Sequence, residues 1–161
     1  MTLAERIAAL HARAVSLLAF LAPVVDLAVR LWVAQVFFRS GMLKLQSWET
    51  TQLLFANEYH VPLLPPNVAA IMGTGTELII PIFLAFGLGG RVAAFVLFVF
   101  NAIAVISYPE LEGIGLEQHY VWGLLLFVTL VHGPGPLSLD HLIGRWVRGK
   151  TAAGGPLATA R

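Results

Sequence analysis

Four apolar runs, residues 24–43, 67–88, 91–108 and 118–132, constrain this chain more than any motif in it. Each approaches the roughly 20 helical residues that cross a hydrocarbon core of about 30 Å. The last is the shortest, although its ends can extend to Leu116 or lean into the headgroups. Strict alternation is missing from the runs and only three substantial loops separate them, which disfavours strands. The composition fits: 58% of residues are hydrophobic and 12% charged, whereas an average soluble domain is about one quarter charged. The sequence predicts an all-α membrane protein, with residues 23–133 forming a four-transmembrane-helix bundle.

The flanks add an N-terminal amphipathic helix and a short outer interfacial helix. Arg6 and Arg13 precede VSLLAFLAP, which superficially suggests a signal peptide, but no small-residue cleavage pattern follows. Leu3, Ile7, Leu10, Ala14, Leu17 and Leu21 recur instead at helical spacing. Residues 1–22 therefore read as an amphipathic helix on the inner leaflet, broken from the first span by Pro23. In the outer loop Trp48, Phe55 and Tyr59 share one helical stripe, as expected of a segment at the interface. Residues 134–161 read as a cytoplasmic tail, disordered over KTAAGGPLATAR.

Basic residues set the orientation. Arg6, Arg13, Arg91, Arg145, Arg148, Lys150 and Arg161 fall on one side, while the other keeps only Lys44 near its boundary. The positive-inside rule then predicts a multi-pass protein of the cell (inner) membrane with both termini cytoplasmic.

Polar residues inside the spans are the candidate site. On a helical wheel the second span places Ala70, Gly73, Thr74, Glu77 and Pro81 on one side, and Ile71, Ile79, Ile82, Phe83 and Phe86 on the other. Small residues let helices approach and bulky apolar ones suit lipid, so Glu77 is expected to face protein. Gln35 and Arg39 share a face of the first span, whereas Asp26, Arg30 and Lys44 lie near boundaries where they can snorkel. A lone charge at the helix centre costs on the order of 3 kcal/mol. The expectation is that Arg39 pairs with Glu77, with Gln35 and Asn101 supplying hydrogen bonds. Such a core is either a binding site or interhelical glue.

Other chemistry is thin. With no cysteines, the chain carries no disulfide framework, thiolate metal site or thiol relay. A net charge of +1 argues against nucleic acid. His60 and His119 could converge near Glu110, Glu112 and Glu117, but no HxxxH or HxxE spacing occurs and no metal site is predicted. No haem, flavin or iron–sulfur motif is visible. GTGTE, GLGGR and HGPGP lack the phosphate-binding patterns and read as packing surface and turns.

An arginine early in the first span, FFRSGMLKL ending in G-x-x-K, TELIIPIFLAFGLGGR and NAIAVISYP together resemble DoxX family membrane proteins over about residues 24–132. On that resemblance Arg30, Gly41, Lys44, Glu77, Gly87 and Arg91 carry the pattern. DoxX and the related DoxD proteins are four-helix membrane proteins, and some are associated with thiosulfate:quinone oxidoreduction or oxidative-stress complexes. The resemblance implies an accessory membrane subunit of a redox system; the cofactor stays open, with a quinone or similar small molecule as a candidate ligand. The alternatives are a non-enzymatic scaffold or assembly subunit and, behind both, small-molecule or ion transport; whether the chain catalyses anything is open. Expected partners are the lipid bilayer and either a redox protein or a second copy.

Overall fold

The computed structural model describes residues 2–153, with side chains as far as Lys150. Six helices follow in order: α1 Leu3–Gln46, α2 Trp48–Asn57, α3 Pro66–Phe86, α4 Gly90–Ser107, α5 Gly113–His132 and α6 Leu139–Ala153. Among the described residues there is no strand, and α1, α3, α4 and α5 are long and apolar enough to cross a membrane. The four-helix expectation holds.

Local chemistry sets the helix limits. Thr2 and Glu5 form a reciprocal capping box at the start of α1, which satisfies two N–H groups that a helix N-terminus leaves unpaired. Pro66 begins α3 at the first position, where its missing N–H costs nothing. Gly87 ends that helix with φ at 63°. The Gly87 and Leu88 N–H groups donate back to the Leu84 and Phe83 carbonyls at 3.1 and 3.0 Å, the pattern of a Schellman cap.

The spans pack α1 against α3, α3 against α4 and α4 against α5. Val33, Ala34 and Phe37 of α1, Leu84 of α3, Ala93, Ala94 and Leu97 of α4 and Leu126 of α5 form one filled core. Phe37 meets Phe100 and Trp122 edge to face, with ring centroids 6.2 and 6.0 Å apart. Phe55 of α2 seats in a smaller cluster with Ala69 and Ala70. The outward set on α3, from Ile71 to Phe86, is exposed residue for residue, and the inward set is buried.

Two expectations change. The predicted break at Pro23 is absent: α1 is one helix of 44 residues, about 66 Å long at 1.5 Å per residue. A proline removes a single hydrogen bond and need not end a helix that spans or leaves a bilayer. No residue from Leu3 to Val29 is buried, so the first half of α1 stands clear of the bundle. The tail, in turn, forms α6, which reaches into the stretch expected to be disordered. The rest of that stretch, residues 154–161, lies outside the described residues.

Candidate functional site: two polar belts at opposite ends of the bundle

Toward the α2 end, the belt is built on Glu77. Ser40, Gly41 and Lys44 follow Phe37 at helical spacing and so share its inward face. Gly41 allows close approach: a Cβ there would stand 3.0 Å from the Glu77 Cβ. The Lys44 ammonium donates to both Glu77 carboxylate oxygens, at 2.8 and 2.6 Å, and to the Ser40 hydroxyl at 3.0 Å. Ser40 in turn donates to Glu77 Oε1 at 3.1 Å. Glu77 is buried and Lys44 nearly so.

Arg39 is therefore not the partner of Glu77, contrary to expectation. It and Gln35 are exposed. Arg39 and Lys44 are five residues apart, roughly 140° around a helix, so the two cannot share a face. Wheel and depth placed Lys44 at the boundary. Its flexible four-carbon stem lets the charge reach back into the bundle.

Asn101 is buried as expected but serves another junction. Its amide donates to the His119 carbonyl at 2.9 Å, and its Oδ1 lies 2.8 Å from His119 Nδ1, tying α4 to α5. The His119 ring leans on Trp122 with centroids 4.8 Å apart. Gly123 leaves room for this junction, since a Cβ there would come within 3.2 Å of the Asn101 amide. Outside the spans, Tyr59 stacks edge-on against Phe55 and Tyr108. Burial, then Tyr108, Glu58 and Glu77, push its phenol above the usual range. Among the described residues no three of His, Asp and Glu converge as a metal site would require.

At the α6 end the belt binds backbone instead. Arg30 is fully buried. One guanidinium nitrogen donates to the Leu84 and Ala85 carbonyls at 3.2 and 3.0 Å, and another to the Leu137 carbonyl. A cation thus sits at the C-terminus of α3, where the helix dipole favours it. Beyond the turn, the Asp140 carboxylate accepts from the Gly89 and Gly90 N–H groups, both at 2.8 Å, at the N-terminus of α4. The Asp140 N–H also donates to the Gly87 carbonyl at 3.0 Å. Arg91 donates to the His132 carbonyl at the end of α5. A Cβ on Gly87 would lie 2.5 Å from Arg30 Nη1, so that position needs glycine for space as well as for φ.

Sequence reasoning missed Ser40, His119 as the partner of Asn101, and Asp140. For Asp140 a signal existed: Ser138 lies just before it, and its hydroxyl accepts from the His141 N–H at 3.2 Å, as a helix-starting serine does.

On the lipid-facing side, α1 and α3 enclose an apolar groove of about 330 Å³ walled by Leu31, Gln35, Phe38, Pro81, Ile82 and Phe86. The DoxX family model matches residues 25–109, more than half of the chain, and spans all six positions that carry the pattern. The chain belongs to the DoxX family. A Haemophilus influenzae protein described only as uncharacterized is 29% identical over 124 residues, covering 73% of this chain and 82% of that one. No solved structure matches. Arg30, Gly41, Lys44, Glu77, Gly87 and Arg91, the positions of the DoxX resemblance, all lie in the two belts.

Proposed function

We propose that this DoxX protein is a non-catalytic accessory subunit of a membrane redox system, a rigid bundle that holds partners at the cell membrane. One observation carries the reading: apart from the buried Arg30 Nε, which has no partner among the described residues, the charged and amide groups of the two belts are taken up by the protein itself. Glu77 is held by Lys44 and Ser40, Asn101 by His119, and Arg30 by three carbonyls. Around them the core is filled by Ala70, Ala94, Leu97 and Leu126. Buried polar groups that satisfy one another fix the register of helices, whereas a ligand site keeps a few polar groups convergent on open space. The redox setting comes from the DoxX resemblance. Both termini face the cytoplasm in this reading, because Arg6, Arg13, Arg91, Arg145 and Arg148 lie toward the α6 end.

For a quinone, the apolar groove between α1 and α3 offers suitable walls. Native mass spectrometry of detergent-extracted protein, with and without Glu77→Gln, separates the two readings. A scaffold retains a stoichiometric redox partner protein, and the substitution lowers the yield of assembled complex. One quinone per bundle with no partner protein retained makes the bundle a ligand site and ends the scaffold reading; loss of that quinone on Glu77→Gln moves the site from the groove to the Glu77 belt.

A further inference from the structure

The spacing of Leu3, Ile7, Leu10, Ala14, Leu17 and Leu21 alternates four and three, and it does not stop where the bundle begins. It continues in phase through Val24, Ala28, Leu31, Gln35 and Phe38. All eleven positions are exposed. A 3.5-residue repeat sustained over five heptads is the pattern of a left-handed coiled-coil seam, and lipid contact alone requires no such period. The residues α1 gives to its own bundle, Arg30, Val33, Ala34, Phe37 and Gly41, occupy other heptad positions. Pro23 also falls off the seam.

We infer that this stripe is the interface with a second copy of the chain, a parallel two-fold dimer in which α1 pairs with α1. Copies in one membrane share orientation and depth, so each stripe residue meets itself across the axis, as an isologous contact requires. The occupant is a second copy because of Gln35, the one polar residue on the stripe. A second copy brings a glutamine to that same depth, where two amides, each a donor and an acceptor, satisfy one another while apolar residues match at the other levels, and a single polar residue at such a position sets register. The area suffices. A seam about 53 Å long and roughly 10 Å wide covers on the order of 500 Å² of each copy, near the total of about 1,000 Å² that a specific interface needs. It also covers the apolar first half of α1, including Leu10 and Leu17, which are 66% and 60% exposed in the single chain. The inference is independent of any redox role. It does place the partner α1 beside Leu31, Gln35 and Phe38, one wall of the groove where a quinone would sit.

The chain has no cysteine, so single cysteines report cleanly. Leu10→Cys and Leu17→Cys lie on the seam, and Ala12→Cys and Ala19→Cys lie on the opposite side. After mild oxidation of the full-length protein in native membranes, the seam variants form disulfide-linked dimers at least about fivefold more than the others, since a disulfide needs Cα atoms within about 7 Å. Equal yields at all four positions, or none at any, overturn the inference, as does a strictly monomeric mass for the unaltered chain in mild detergent. None of the four side chains packs in the bundle, so the variants keep its fold.

Discussion

The two ends of the bundle use charge differently. Near α2, charged and polar side chains bind one another: Lys44 holds Glu77, and Asn101 holds His119. Near α6, they bind main chain: Arg30 closes the last carbonyls of α3, Asp140 the first N–H groups of α4, and Arg91 the end of α5. A side-chain partner can be replaced together with its mate. A helix terminus cannot be replaced, because its unpaired carbonyls and N–H groups exist whatever the side chains are. The α6 end should therefore tolerate less change, and rescue by a second substitution should work only at the α2 end.

The largest effect is expected from Arg30→Leu. It removes the donor from the Leu84, Ala85 and Leu137 carbonyls, and unsatisfied buried acceptors together cost on the order of 3 kcal/mol. Equilibrium unfolding in detergent, followed by helical circular dichroism, reads this. A loss too small to measure would mean that water reaches this end, and the contrast between the ends would collapse.

Glu77→Leu comes next, at about 2 kcal/mol, because it leaves the partly exposed Lys44 ammonium with only the Ser40 hydroxyl as a partner. Adding Lys44→Met should recover at least half of that, with a coupling energy of about 1 kcal/mol in the double-mutant cycle. If the losses simply add, the two residues act independently and the ion pair contributes nothing to register. Arg39→Gln is the smallest change, expected within about 0.5 kcal/mol of the unaltered protein. A loss matching that of Glu77→Leu would restore Arg39 as the residue that neutralises the carboxylate.

The number of spans, the faces of α3 and the buried setting of Glu77 and Asn101 could all be read from the order of residues alone. They depend on run length and on a 100° step, which belong to a single helix and need no neighbour. Pairing could not be read that way. Whether Glu77 meets Arg39 or Lys44 depends on how α1 is rotated against α3 and how far a lysine stem extends, and Gly41 settles the first by letting the helices close up. Asn101 turned to His119 because α4 lies against α5, a neighbour relation no periodicity states. Arg30 was legible as a charge near a boundary, whereas Asp140 was not singled out. That they clamp one turn from both sides was decided by the fold, which carries residues 137–140 back over Gly87 and brings one charge to the open end of each helix.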